Sequence, residues 1–270
     1  MNRPIGVFDS GVGGLSVLKA LRGELPGHDF IYIADSGHAP YGERDDAHVI
    51  ARSQRVARWL LGQDIEALVI ACNTATAAAI HLLRAEHPLL PIIGVEPALK
   101  PAVPLSTTGR IGVMATRGTL ASSKFQALLS SQAVQADFVL QACDGLADAI
   151  ERSASRGDDA PVLAACKRHI EAMGRFGNQP GEIDTLVLGC THYPFAEAQL
   201  RQLVGPHVQI ISNGEAVARQ TRRQLAASPV QPPAGTGSIR LLATSDAGAL
   251  GAAAHRWLGL HAVETALVNL

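Results

Sequence analysis

Short β-branched, apolar runs alternate with longer amphipathic segments rich in Ala, Leu and Arg along almost the whole chain of 270 residues. Strand-then-helix alternation is typical of parallel sheets that carry helices on both faces. Strands that are apolar almost throughout fit sheets that are buried on both sides. The pattern therefore predicts an α/β fold with three layers, helix, sheet and helix.

The alternation assigns nine strands and nine helices. The predicted strands are Ile5–Phe8, Phe30–Ala34, Leu68–Ala71, Pro91–Val95, Arg110–Met114, Ala136–Leu140, Thr185–Leu188, Val208–Ile211 and Ile239–Ala243. The predicted helices are Leu15–Arg22, Asp46–Leu61, Ala75–Arg84, Leu120–Ser130, Leu146–Ser153, Pro161–Met173, Ala196–Leu203, Gly214–Ala227 and Ala247–Trp257. Two proline-containing segments, Pro97–Gly109 and Ser228–Ser238, are predicted to be connectors.

A short internal repeat predicts two similar lobes. The run Ile5–Phe8 is echoed by Ile111–Met114, and the segment 67–74 is echoed by 185–192. Both copies of the second pair end a strand in a cysteine that is followed by hydrogen-bonding residues. We assign residues 1–97 plus 209–270 to the first lobe and residues 98–208 to the second.

Composition excludes several classes of protein. The formal net charge is −1, with 23 basic and 24 acidic residues, whereas phosphate binding normally requires a basic excess. No apolar run reaches the roughly 20 residues that span a bilayer. We therefore expect the protein to bind no nucleic acid and no membrane. The chain passes from Met1 straight into Ile5–Phe8 without the layout of a signal peptide, which predicts a cytoplasmic protein.

Two of the four cysteines stand at positions where ligand-binding or catalytic residues are expected. Cys72 and Cys190 each follow a predicted buried strand, and ligands of open α/β sheets bind outside the carboxyl ends of strands. A helix N-terminus next to Cys72 is expected to lower the pKa of its thiol. A single strand-end cysteine is more often inert core, but two in matched contexts favour function. Cys143 and Cys166 lack this context and are interpreted as structural. No Cys-x-x-Cys occurs, and no Cys and His have the spacing of metal ligands, so we predict no metal site.

A glycine-rich turn, Gly11-Val12-Gly13-Gly14, follows the first strand and Asp9-Ser10. Ser16 occupies the third place of a Gly-x-Gly-x-x-Gly pattern, so the dinucleotide signal is weak. We expect instead that these glycines let a small ligand approach the backbone closely. Asp9 is either a helix cap, a proton relay or a partner for an ammonium group.

These motifs together resemble the glutamate racemase family. The resemblance is carried, in order and spacing, by Asp9-Ser10-Gly11, Pro40-Tyr41-Gly42, Ala71-Cys72-Asn73-Thr74-Ala75, Cys143…Glu151, Gly189-Cys190-Thr191-His192-Tyr193-Pro194 and Gly214-Glu215-Ala216. It extends over nearly the whole chain. Three positions depart from the family pattern: Ser212-Asn213 stands where Asp-Ser is usual, and Ser36 stands where Thr is usual.

The resemblance implies an active site between two pseudo-symmetric lobes and a racemisation by two bases without a cofactor. Cys72 and Cys190 would be the bases, Cys72 taking the α-proton of D-glutamate and Cys190 that of L-glutamate. Asp9 would assist Cys72, and Glu151 with His192 would assist Cys190. The family also implies a homodimer that supplies D-glutamate for peptidoglycan.

Neutral groups are expected to bind the substrate, since no arginine clamp is evident. The N–H groups and hydroxyls that could hold the carboxylates belong to Ser10, Tyr41, Gly42, Asn73, Thr74, Thr191 and His192. Asp9, as a possible partner of the substrate ammonium group, and Pro40 complete the substrate-binding candidates. Only four lysines occur, Lys19, Lys100, Lys124 and Lys167, and none has a convincing setting for a Schiff base with pyridoxal phosphate.

Three alternatives stay open at this point. An aspartate racemase shares the two-cysteine plan. A cysteine hydrolase or amidase would use one thiol with His192, and in that case only one of the two cysteines would matter. A non-catalytic two-lobed binding protein would hold an amino acid without exchanging its α-proton.

Overall fold

The computed structural model describes residues 3–226, 235–261 and 263–270. Within them the strands are β1 (Ile5–Asp9), β2 (Phe30–Ala34), β3 (Ala67–Ile70), β4 (Ile92–Gly94), β5 (Arg110–Ala115), β6 (Asp137–Ala142), β7 (Thr185–Leu188), β8 (Gln209–Ile211), β9 (Ile239–Ala243) and β10 (Glu264–Leu267). The helices are α1 (Leu15–Glu24), α2 (Asp46–Leu61), α3 (Asn73–Glu86), α4 (Leu99–Ala102), α5 (Arg117–Ala121), α6 (Ser123–Gln132), α7 (Leu146–Arg156), α8 (Ala160–Met173), α9 (Glu197–Val204), α10 (Gly214–Ala226) and α11 (Ala247–Leu258).

The strands form two parallel sheets. A six-stranded sheet has the order β10-β9-β2-β1-β3-β4, and a four-stranded sheet has the order β6-β5-β7-β8. The segment β2-β1-β3-β4 of the first sheet has the same connectivity as the whole of the second. This confirms two pseudo-symmetric lobes, and it explains the internal repeat because β1 and β5, and likewise β3 and β7, occupy equivalent places.

Helices cover both faces of each sheet, which confirms the three-layer prediction. Alternate residues of one strand face opposite sides of the sheet, so Val7 and Val69 pack under α1, α10 and α11, whereas Phe8 and Leu68 pack under α2 and α3. The second sheet is buried in the same manner between α7, α8 and α9 on one face and α4 and α6 on the other. Nothing in the described part of the chain forms a helix that is long and apolar enough to cross a membrane.

Three local predictions were wrong. The expected helix 120–130 is two helices, because Ser122 has extended backbone and its side chain caps α6 by accepting from the Phe125 amide. The connector 97–109 contains α4 and a short 3-10 helix, Val103–Leu105. Strand β10 was missed because it lies at the edge of the first sheet and is only partly buried.

Some predicted positions lie at boundaries or outside the described residues. Strand β8 pairs with β7, so the second sheet extends past the expected lobe boundary at 208 to residue 211. The division of the chain into two domains otherwise stays a prediction. Residues 1–2, the last residue of the predicted helix 214–227 and most of the connector 228–238 (residues 228–234) lie outside the described residues.

Candidate active site

A cavity of about 240 Å³ lies where the carboxyl ends of strands from both sheets face each other. Parallel strands of one sheet present all their carboxyl ends at one edge, and here two such edges meet. All twelve residues singled out from the sequence line this cavity: Asp9, Ser10, Pro40, Tyr41, Gly42, Cys72, Asn73, Thr74, Glu151, Cys190, Thr191 and His192. The structure therefore brings the whole candidate set together, from both lobes.

Cys72 is the N-cap residue of α3, directly after β3. Its Sγ accepts a hydrogen bond from the Ala75 amide at 3.5 Å and lies 3.8 Å from the Ser10 hydroxyl. The thiol is buried, and burial together with the nearby Asp9 carboxylate raises its pKa well above the ordinary value. The expected lowering by the helix N-terminus was therefore wrong in sign. The Ala75 amide does favour the thiolate, but desolvation outweighs it.

Asp9 is fully buried beside Cys72 and joins the two lobes. Its Oδ1 accepts from the Ser10 amide at 2.7 Å, and its Oδ2 accepts from the Gly14 amide at 2.5 Å and from the Thr191 hydroxyl at 3.2 Å. Burial raises the pKa of this carboxyl, although the charge of His192 counteracts the shift. A carboxyl with a raised pKa near a thiol can hold or release a proton at this side of the cavity.

Cys190 forms a chain of contacts with His192 and Glu151 on the opposite side. Its Sγ lies 3.7 Å from Nδ1 of His192, and Nε2 of His192 lies 3.0 Å from Oε2 of Glu151. Burial acts to lower the pKa of His192, but the hydrogen bonds and charges of Cys190 and Glu151 together raise it well above the ordinary value. The contacts of His192 with Cys190 and Glu151 therefore favour the charged form of the imidazole.

The glycine-rich turn makes room for this chain of contacts. A Cβ on Gly11 would collide with the Glu151 carboxylate, and one on Gly13 would collide with the His192 ring. We expected a ligand to approach these glycines closely. In the structure Glu151 and His192 of the second lobe approach them instead. Glycine is needed here for space, since neither residue has a positive φ.

The chain also matches a known protein family. A family model described as Asp/Glu/Hydantoin racemase matches residues 15–221, which is most of the chain. The chain belongs to the Asp/Glu/hydantoin racemase family.

Similar proteins of this racemase family carry one activity in their names. The chain is 47% identical to a glutamate racemase from Ralstonia nicotianae, over 90% of this chain and 85% of the relative. It is 43% identical to a glutamate racemase from Herpetosiphon aurantiacus, over 91% of this chain and 94% of that one.

Solved racemase structures resemble the whole fold. A crystal structure of a glutamate racemase isoform from Bacillus anthracis has a TM-score of 0.87 and 32% identity, and covers 99% of this chain and 98% of its own. The Escherichia coli glutamate racemase, in complex with L-glutamate and the activator UDP-MurNAc-ala, has a TM-score of 0.85 and 30% identity, covering 98% and 97%. The resemblance inferred from the sequence motifs is thereby confirmed.

One binding expectation for this racemase needs correction. The Tyr41 hydroxyl was a candidate for holding a substrate carboxylate, but it donates to Oδ2 of Asp35 at 2.5 Å. Tyr41 therefore lines the cavity with its hydroxyl already bound to Asp35.

Asn73 is the clearest vacant hydrogen-bonding group in the racemase cavity. Its side chain is buried, yet neither Oδ1 nor Nδ2 has a partner among the described residues. Buried polar atoms are normally paired, so this amide is suited to a polar ligand. Thr74 beside it already contacts Thr116 of the second lobe, at 3.1 Å between the hydroxyl oxygens.

Sequence reasoning missed several residues of the racemase cavity. Thr116, Cys143, Asp144 and Asp148 also line it. Thr116 could have been found from the sequence, because the repeat that aligns Ile5–Phe8 with Ile111–Met114 also aligns Ser10 with Thr116. Cys143 belongs to the buried core of the second lobe, as expected for a structural cysteine, but it also forms part of the cavity wall.

The described residues that line the cavity include no lysine that could form a Schiff base with pyridoxal phosphate. Of the described residues that line it, none is Lys or Arg. Lys124 instead pairs with Glu96 at 2.8 Å. Across residues 3–226, 235–261 and 263–270, no three His, Cys, Asp or Glu side chains are grouped as metal ligands would be.

Proposed function

We propose that this protein is an isomerase that interconverts L- and D-glutamate, with Cys72 and Cys190 as its two bases. The observation that carries the proposal is the placement of these cysteines. They follow equivalent strands, β3 and β7, in two different sheets, and both line one cavity. A racemase that works by direct proton transfer needs a base on each face of one carbon, and two lobes related by pseudo-symmetry supply such a pair.

The reaction consists of two proton transfers. The thiolate of one cysteine takes the proton from Cα, and the electrons of the broken C–H bond remain on the substrate as a carbanion delocalised into its carboxylate. The thiol of the other cysteine then gives its proton to the opposite face and becomes the thiolate. No oxidant, reductant or cofactor enters this balance. The product is the mirror image of the substrate. The cysteine that began as the thiolate is now the thiol, and the other is now the thiolate.

The charged groups next to the two cysteines differ. Cys72 faces Asp9, and its raised pKa favours the thiol. Cys190 lies 3.7 Å from Nδ1 of His192, and the contacts of His192 with Cys190 and Glu151 raise the pKa of this imidazole, so a positive charge is favoured on this side of the cavity. Asp9 on one side and His192 with Glu151 on the other return the protons between turnovers.

Neutral donors bind the substrate in this proposal. The side chains of Ser10, Asn73 and Thr191 stand at the cavity with hydroxyl or amide groups, and His192 adds the positive charge. The carbanion is stabilised by such preorganised hydrogen bonds. The unpartnered amide of Asn73 supports this role most directly.

The names of the relatives support glutamate as the substrate, and the wider proposal follows from them. We propose that the protein supplies D-glutamate for peptidoglycan synthesis in the cytoplasm and that it works as a homodimer. Size-exclusion chromatography with light scattering tests the oligomeric state.

The test of the activity is polarimetry of L- and D-glutamate, with L- and D-aspartate alongside and no cofactor added. Glutamate should be racemised in both directions. Preference for aspartate would replace glutamate by the alternative substrate, and a strict requirement for pyridoxal phosphate or a metal would end the proposal.

The two-base mechanism is tested by Cys72→Ser and Cys190→Ser, with Cys166→Ser as a matched control. Cys166 is buried in the second lobe and does not line the cavity. Both active-site variants should lose racemisation, because every turnover uses both thiols and serine is a much weaker base. In deuterated water, residual α-deuterium uptake should be confined to L-glutamate for Cys72→Ser and to D-glutamate for Cys190→Ser. Retained racemisation in either variant would refute two bases, and a defect in only one would favour the single-cysteine hydrolase.

A further inference from the structure

We infer that Asp35 and Arg52, which do not line the cavity, are positioning residues for substrate binding: they fix the loop 35–43 that forms one cavity wall. The inference deepens the proposed function and rests on it for the identity of the substrate. The loop carries Pro40, Tyr41 and Gly42 to the cavity. The placement of the loop itself follows from the contacts of Asp35.

A buried bidentate ion pair anchors the loop to α2. Nε of Arg52 donates to Oδ2 of Asp35 at 2.9 Å, and Nη2 donates to Oδ1, also at 2.9 Å. Both residues are buried, Asp35 completely. A planar guanidinium that meets both oxygens of a carboxylate fixes orientation as well as distance, which lysine cannot do.

The ion pair extends to the tyrosine of the cavity wall. The Tyr41 hydroxyl donates to Oδ2 of Asp35, the oxygen that also accepts from Nε of Arg52. Burial disfavours the charged form of Asp35, but the hydrogen bonds of Arg52 and Tyr41 lower its pKa, so the carboxylate remains ionised. Arg52 thus holds Asp35, and Asp35 holds the Tyr41 ring, which has only 1% of its surface exposed.

The same loop is tied to the catalytic strand. The Asp35 amide donates to the Asp9 carbonyl at 2.9 Å, so the start of the loop is fixed to the residue beside Cys72. Nδ1 of His38 lies 3.2 Å from Oδ1 of Asp35, and the Gly37 amide donates to the Thr244 hydroxyl at 3.0 Å. Asp35 is therefore the residue on which several restraints of the loop converge.

On its other side the loop touches the second lobe. A Cβ on Gly42 would lie 2.7 Å from Cβ of Thr116, and one on Gly118 would lie 3.2 Å from the Gly42 carbonyl oxygen. Displacement of the loop would therefore alter the width of the cavity between the lobes. Since one wall serves both enantiomers, weaker anchoring should weaken the binding of both.

The kinetic test uses Asp35→Asn, Arg52→Lys and Tyr41→Phe. Each should raise KM for L- and D-glutamate about ten- to hundredfold, as expected from losing a hydrogen bond to a charged group, with a smaller change in kcat. Arg52→Lys combined with Tyr41→Phe should raise KM by less than the product of the single effects, because both act through Asp35. The two milder variants keep the test valid if Asp35→Asn does not fold.

Asp184→Asn is the matched control. Asp184 is a buried carboxylate of the second lobe with comparable bonding, accepting from the Ser106 hydroxyl at 2.6 Å and the Thr108 amide at 2.8 Å. It does not line the cavity, so its replacement should lower stability and leave KM unchanged. If the loop variants also lose stability without any rise in KM, Asp35 and Arg52 are structural only, and the inference is overturned.

A readout without glutamate separates this inference from the proposed function. Amide hydrogen exchange, followed by mass spectrometry, should become faster over residues 35–44 in Asp35→Asn and Arg52→Lys but not in Asp184→Asn. Unchanged exchange in this segment would overturn the inference. If the wild-type chain failed to racemise glutamate, the proposed function would fall, and the exchange experiment would still decide whether the ion pair positions the loop.

Discussion

Replacing Gly13 by alanine would put a methyl group into the space of the His192 ring. The new Cβ would lie 2.6 Å from both Cγ and Cε1 of that ring, whereas carbon atoms in contact are about 3.5–4.0 Å apart. The ring must therefore withdraw by about 1 Å. It cannot do so freely, because its two nitrogens contact Cys190 and Glu151 at 3.7 and 3.0 Å.

The expected loss is worked from this displacement. A misplacement of about 1 Å in a catalytic arrangement costs on the order of 10² in rate, which corresponds to about 2.7 kcal/mol in the activation free energy. Overpacking also lowers the free energy of unfolding by about 1–3 kcal/mol. Since His192 would lose part of its contact with Glu151 and Cys190, its raised pKa should fall toward the ordinary value.

The assay compares Gly13→Ala with Gly23→Ala. Gly23 is exposed in α1, and a Cβ there would meet nothing within 4 Å, so alanine should leave turnover unchanged and raise stability by up to about 1 kcal/mol. We would measure kcat in both directions well below the unfolding midpoint of each variant, and follow the His192 titration by NMR. Wild-type kcat in Gly13→Ala, or an equal loss in both variants, would refute the reasoning.

Two further predictions concern single side chains. In the proposed mechanism His192 assists proton transfer at Cys190, so His192→Ala should lower kcat by on the order of 10²–10⁴ and change KM much less. An unchanged kcat with reduced stability would make His192 structural. The pKa of Asp184, which burial would raise, is lowered to about 2 by hydrogen bonds from Ser106, Thr108 and Thr107. Asp184 therefore stabilises the fold above its unfolded pKa near 4, and this stabilisation is lost as the pH falls toward 2. Asp184→Asn should remove up to about 2 kcal/mol of the change in unfolding free energy over this pH range, measured by unfolding in urea. An unchanged acid dependence would contradict this.

The strand–helix order and the catalytic candidates could be predicted from the sequence because they depend on local pattern. Apolar runs mark strands wherever they occur, and the prediction of α2 agrees with its observed bounds, 46–61, since Asp45 caps it through the His48 amide. Cys72 and Cys190 could be singled out because ligands of open α/β sheets bind outside the carboxyl ends of the strands. The repeat that relates the two lobes is also a property of the sequence.

The tertiary structure alone decided how the two halves of the site act on each other. Burial reversed the expected direction of the Cys72 pKa, because desolvation depends on every neighbour and no local pattern reports it. The contact of Gly11 and Gly13 with Glu151 and His192 joins residues more than a hundred positions apart. The Tyr41 hydroxyl donates to Asp35, which Arg52 of α2 holds in place. The partner of such a side chain depends on how the loop packs against a helix, and the order of residues along the chain does not report that packing.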